Sequence, residues 1–208
     1  FPEQQIEALL WAMENRCSEI QLALGGGGDY FANTVDTIAS SNEVYAIDIA
    51  EDMTSWWRRD EYLRFLNATI TSARNHPDSK HVRIYVLHSC LENRASAELF
   101  RDKVVIPQLE SNVELVFYTP EVLVEHNLAS IDCILNDTNW GFYLLPVDSF
   151  DSRSVTREKN TVWEGCYPYF KKLFDDLYAC SDRRQFRCKL VSDATKEEFL
   201  QWLYGRPR

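Results

Sequence analysis

Apolar residues recur at helical spacing in the first segment, at Ile6, Leu9, Leu10, Met13, Cys17, Ile20 and Leu24, forming one stripe over about six turns. Pro2 suits a first turn, and Gly25 suits the end of that helix. A second short helix is predicted over Tyr30 to Ala39, with Val35 and Ile38 facing inward. The pattern then changes. Glu43 to Ile49 (EVYAIDI) and Val82 to Leu87 (VRIYVL) are continuous β-branched and aromatic runs, the second of a kind buried on both faces. Between them Trp57, Tyr62, Phe65, Leu66 and Ile70 mark a helix over Trp56 to Ala73, broken at His76-Pro77-Asp78.

The second half alternates in the same way. A helix over Ser96 to Leu109 precedes a strand at Val113 to Tyr118, and Pro120 opens a short helix at Glu121 to Glu125. Ile131 to Leu135 and Gly141 to Pro146 flank an Asn-Asp-Thr-Asn turn and read as a hairpin. Ser149 to Asn160 is polar and predicts a loop; Thr161 to Ala179 predicts an aromatic helix, broken or started at Pro168. Phe186 to Val191 reads as a last edge strand, and Thr195 to Tyr204 as a final helix capped by Ser192 or Asp193. This alternation predicts an α/β fold, with a mixed, mainly parallel sheet covered by helices on both faces. No repeat or linker divides residues 1–208, which are expected to form one domain. Its parts would be an N-terminal helical segment (1–42), a core (43–180) and a C-terminal extension (181–208).

Composition narrows the functional classes. A chain of 208 residues with 45% hydrophobic and 13% aromatic residues can bury a real core. The net charge of −10 argues against sequence-independent nucleic-acid binding, and only Arg183, Arg184, Arg187 and Lys189 form a basic cluster. The six cysteines include no C-x-x-C pair and no cluster with histidine, so no metal site is expected and reduced thiols in a cytoplasmic protein are. No apolar stretch reaches the ~20 residues of a membrane span, and no signal peptide or cofactor motif is present. The Phe1 start reads as that of an excised domain.

Candidate chemistry gathers after the first two long strands. Asp48 ends one, followed by Glu51, Asp52, Trp56 and Trp57, and His88 follows the other directly. Open α/β sheets place ligands at this carboxyl edge. Asp48 and His88 are therefore the candidate acid–base pair, with magnesium on Asp48 and Asp52 as an alternative and a helix cap or a satisfied loop histidine as the structural readings. Trp56 is the aromatic expected to stand over a pocket. Asp132, Asn136 and Asp137 bracket the strand at Ile131 and complete the candidate ligand-binding set, although Asn136 to Asn139 is also good turn chemistry. The run Gly25 to Gly28 lacks the lysine of a P-loop and reads as a connector.

The order VYAIDIAEDMTSWWRRDEYLRFLNATI, VRIYVL, VELVFYTPEVL, IDCILNDTNWGFYLLP, YFKKLFDDLY resembles divergent phospholipase D-like domains over residues 43–180. Phe170, Leu173 and Phe174 match the Phe-x-x-Leu-(Trp/Phe) pattern of that superfamily's last helix. The resemblance implies a seven-stranded α/β domain with His-x-Lys-x4-Asp at a strand end. Here His126 is followed two positions later by Leu128, and Asp132 falls at the wrong offset. Without histidine as nucleophile and lysine on the phosphate oxygens, phosphodiester chemistry lacks its essential groups. The resemblance therefore implies a non-catalytic regulatory domain that binds a ligand, another protein or itself, in the last case as a homodimer. The alternatives are a phosphate-ester or nucleotide hydrolase centred on Asp48 and His88, and a self-association module.

Overall fold

A computed structural model describes residues 18–21, 35–50, 60–87, 94–128, 132–138, 141–145, 159–164 and 167–204. Its strands are β1 (Ser18–Gln21), β2 (Val44–Ala50), β3 (His81–Leu87), β4 (Glu114–Tyr118), β5 (Asp132–Asn136), β6 (Gly141–Leu145), β7 (Lys159–Glu164) and β8 (Phe186–Cys188). They form one sheet in the order β1-β7-β6-β5-β2-β3-β4-β8. The helices are α1 (Asp60–Asn75), α2 (Arg94–Phe100), α3 (Ile106–Leu109), α4 (Pro120–Glu125), α5 (Tyr167–Ala179) and α6 (Asp193–Tyr204). Residues 35–39 are also helical. No helix among the described residues is long and apolar enough to cross a membrane.

The α/β class and the mixed sheet agree with the hydrophobic pattern. The sheet is not mainly parallel, however. Among the described residues only β2–β3 and β3–β4 pair in parallel. β2–β5, β5–β6, β6–β7, β7–β1 and β4–β8 are antiparallel. The two parallel pairs are confined to β2, β3 and β4, and antiparallel strands extend the sheet on both sides of them.

Two helix assignments are corrected by long-range pairing. Ser18–Gln21 is not the tail of a first helix but an edge strand, with Ile20 opposite Val162. Lys159–Glu164 is likewise a strand, so the aromatic helix starts at Tyr167 with Pro168 in its first turn, where a missing N–H costs nothing. Both segments are short and hold too few apolar residues to fix a period, and a partner strand decides. The rest of the predicted first helix and the run Gly25 to Gly28 lie outside the described residues. The predicted hairpin is β5–β6, and the last edge strand is β8, shortened to three residues.

The predicted helix ending at Leu109 is present but not regular. Arg101–Val105 forms a π-turn between α2 and α3, in which the Ile106 N–H donates to the Arg101 carbonyl. Pro107 follows immediately and has no N–H to give to the carbonyl of Lys103. The wider turn accommodates that missing bond without ending the helix.

Alternation along the strands sorts the core into clusters. Tyr85, Leu87, Leu115 and Phe117 pack with residues of α1, α2, α3 and α6, including Phe100 and Phe199. Val82, Ile84, Val86 and Val116 pack instead with Val122 of α4 and with Phe170, Phe174 and Leu177 of α5. A third cluster joins Val44 and Ala46 to Phe65, Ala68, Ile38 and Ile134. Phe117 is the aromatic hub of the first, with ring centroids 5.1 Å from Tyr85, 5.0 Å from Phe199 and 5.8 Å from Trp202.

Phe117→Ala is expected to cost about 3–5 kcal/mol, because the surrounding rings cannot close over so large a void. Urea denaturation monitored by tryptophan fluorescence checks this, with a cost below ~1 kcal/mol showing that the cluster is not packed as described.

Candidate functional site

Every residue of β3 is buried, which agrees with a strand covered on both sides, yet one of them is a cation. Arg83 is fully buried. Its Nη1 donates to Asp48 Oδ2 at 2.9 Å and its Nη2 to Thr69 Oγ1 of α1 at 2.6 Å. The parallel register produces the first contact by pairing Ala46 with Arg83 and Asp48 with Tyr85. A second set of hydrogen bonds lies on the same strand face. The hydroxyls of Tyr62 and Tyr85 are 2.8 Å apart, and Gln108 Nε2 donates to Tyr85 Oη at 2.8 Å and to the Val104 carbonyl at 2.8 Å.

Burial governs the charges here. It pushes the Asp48 carboxyl up, against the opposing pull of Arg83. Burial alone would lower the Arg83 guanidinium, but Asp48 and the two phenols hold it above its ordinary value, so it stays a cation. Burial also raises both phenols, Tyr85 to about 12, which keeps them neutral donors. Arg83 Nε and Gln108 Oε1 are buried without a hydrogen-bond partner among the described residues. Asp48 is thus the counter-ion of a buried arginine. Withdrawing it as a base or a metal ligand would strand that cation in the core. Among the described residues no group of three or more His, Cys, Asp or Glu side chains could hold a metal.

Asn136 and Asp137 lie at the other end of β2. Asn136 is opposite Val44, four positions before Asp48, or about 13 Å along the strand. Asp137 accepts from the Asn42 N–H at 3.1 Å, from Asn42 Nδ2 at 2.8 Å and from the Glu43 N–H at 3.4 Å. Burial works against its charge, but these hydrogen bonds hold its carboxyl below the usual range. Asn136 Nδ2 donates to Ser41 Oγ at 3.0 Å, and its Oδ1 receives the N–H and hydroxyl of Thr138. This is turn chemistry that also fastens β5 to the start of β2.

Among the described residues the candidates therefore do not form one constellation. Asp48 is separated from Asn136 and Asp137 by most of a strand. Asp132 opens β5 opposite Leu144, one residue beyond the last β2–β5 pair, Ile47 with Cys133. Trp56, His88 and Asp52 lie outside the described residues.

The corner that holds Asn136 also contains a serine–histidine pair. Ser72 Oγ is 2.8 Å from His81 Nε2 and donates to the Ser41 carbonyl at 2.6 Å. That donation leaves the oxygen to accept from the ring, the reverse of what a nucleophile needs. Ser72 is also fully buried, so this pair is structural.

The C-terminal basic cluster is largely consumed within the fold. Arg184 pairs with Glu125 and with Asp182, Lys189 with Glu114 at 2.8 Å, and Arg187 covers the Tyr178 ring at 4.5 Å. His126, at the position where the resemblance would seek a nucleophile, is paired with Asp182 at 2.8 Å on the surface. Burial raises the Cys180 thiol and pushes Cys188 up to about 12, so neither is activated.

Arg83, Thr69, Tyr62, Tyr85 and Gln108 were not anticipated as a group. The signal was the arginine itself, since a cation inside VRIYVL requires a buried acid, and Asp48 is the acid on the neighbouring strand.

Breaking the pair is expected to cost more than removing it. Arg83→Met should lose about 3–5 kcal/mol by leaving Asp48 buried and unpaired, and adding Asp48→Asn should return part of that loss. A double-mutant cycle in urea reads this directly. Additive losses within ~0.5 kcal/mol would show that the two side chains do not interact.

No protein-family model matches the chain, and comparison with curated proteins finds no match to its sequence.

Proposed function

We propose that the chain is a non-catalytic binding domain, acting as the regulatory part of a larger intracellular protein. The observation that carries this reading is the use of Asp48. The best-placed carboxylate for chemistry at the sheet edge is held by Arg83 at 2.9 Å, with its side chain only 12% exposed. The second candidate group, Asn136 with Asp137, is spent on the turn that fastens β5 to β2. His81 and Ser72 likewise donate and accept within the core.

The binding surface we assign is the carboxyl end of β2 and β3. Trp56 and His88 follow these strands in the sequence, and ligands of open α/β sheets gather at such edges. The occupant on this reading is another protein module or a small phosphate-containing ligand. A phospholipase D-like core with helices on both faces of the sheet is part of the proposal. Its support is the separation of β3's alternate residues into two clusters, one with α1, α2, α3 and α6 and one with α4 and α5. The Phe170 and Phe174 pattern in α5 supports it too, since both rings are buried against the sheet.

Purified protein is expected to show no turnover of bis(p-nitrophenyl) phosphate or of nucleoside triphosphates above a buffer control. Turnover in the wild type that His88→Ala abolishes at unchanged melting temperature would overturn the binding reading in favour of a hydrolase. Light scattering over a range of concentrations is the companion measurement. A mass that doubles with concentration makes the occupant a second copy of this chain, and a constant mass leaves a different partner.

A further inference from the structure

The corner where β2, β3, β5 and α1 meet contains a count of protons that does not balance. Three contacts there each need one hydrogen. Ser72 Oγ stands 2.6 Å from the Ser41 carbonyl, His81 Nε2 stands 2.8 Å from Ser72 Oγ, and His81 Nδ1 stands 3.4 Å from the Ser79 carbonyl. One serine hydroxyl and one neutral imidazole supply two hydrogens between them. The first two contacts use both, which leaves the Nδ1 lone pair facing the lone pairs of the Ser79 carbonyl. An imidazolium would supply the third. Three of the four residues are inside the protein, His81 at 3% exposed, Ser41 at 4% and Ser72 fully buried, while Ser79 is half-buried.

From this geometry we infer that His81 is a built-in acid sensor, a buried ring that takes up a proton in place and completes the Ser41–Ser72–His81–Ser79 chain. The surroundings set where it acts. Burial opposes the charge most strongly and His76 adds to that, while the Ser79 carbonyl, Glu43 and Asp137 favour it, with the net result below the ordinary histidine value. The proton therefore arrives below the range in which an exposed histidine titrates. The same chain continues from Ser41 to Asn136 and Thr138, so the charge state of His81 bears on the joint between β5 and the start of β2.

The sign of the stability effect follows from linkage. A histidine with a lowered folded value contributes its full stability above the unfolded value near 6.5, and loses it as pH falls toward the folded value. A titration of ring nitrogen and carbon resonances by NMR on the intact chain tests the inference. The expected result is a His81 midpoint below 6.5, with the fold retained, and both ring N–H signals protected from solvent exchange in the acid form. His81→Gln should keep the fold and remove the decline in melting temperature across that pH range. Ser72→Ala should shift the His81 midpoint, because the partner of Nε2 is lost. A His81 ring that stays neutral until the protein unfolds, or one whose N–H groups exchange freely once protonated, overturns the inference. So does a His81→Gln variant that folds with an unchanged pH profile.

Discussion

The rest of the structure depends on one cation placed where a cation should not be. Arg83 lies in the central parallel strand, fully buried, with apolar residues before and after it. Left alone, such a charge would cost several kcal/mol of desolvation. The register between β2 and β3 brings Asp48 within 2.9 Å, and α1 brings Thr69 to the second nitrogen. A one-residue slip of β2 would turn Asp48 to the opposite face and leave both charges unpaired. The pair therefore fixes register as well as charge, and it ties a helix to two strands.

That commitment shapes the functional reading. Carboxylates at the ends of parallel strands are common catalytic groups because they are exposed and free to exchange protons. Asp48 is neither. The polar groups near it, Tyr62, Tyr85 and Gln108, form a second hydrogen-bonded set, and burial keeps the phenols neutral. Such a network stiffens the sheet edge and offers little to a substrate. The proposed binding role rests on this use of the polar side chains within the core.

Much of the fold was legible in the sequence, and the misses share a cause. VYAIDI and VRIYVL are long, β-branched and bounded by turn residues, so no other element fits them. Ser18–Gln21 and Lys159–Glu164 are short and fit two periods, and only their mutual pairing, invisible in either segment, makes them strands. Part of the antiparallel pairing has the same origin, in the β1–β7 and β6–β7 pairs; the rest comes from β5, β6 and β8, which were legible as strands, but the direction of β5 against β2 and of β8 against β4 was not. Within the candidate site, Asp48 was found for its position and misread in its role. Its place at a strand end suggested chemistry, while the decisive residue, Arg83, was passed over inside a run read as apolar. Asn136 and Asp137 stand in the sequence as ligand-binding candidates with turn chemistry as the structural reading; their bonds to Ser41 and Asn42 cross more than ninety positions of sequence and leave no local trace.

The most direct measurement on the central pair is the guanidinium spectrum of Arg83 by ¹H–¹⁵N NMR. A guanidinium locked between Asp48 and Thr69 should give separately resolved Nη protons that exchange slowly with water at neutral pH, and these should broaden or collapse in Asp48→Asn. A single averaged, rapidly exchanging signal in the wild type, like that of a surface arginine, would contradict the account.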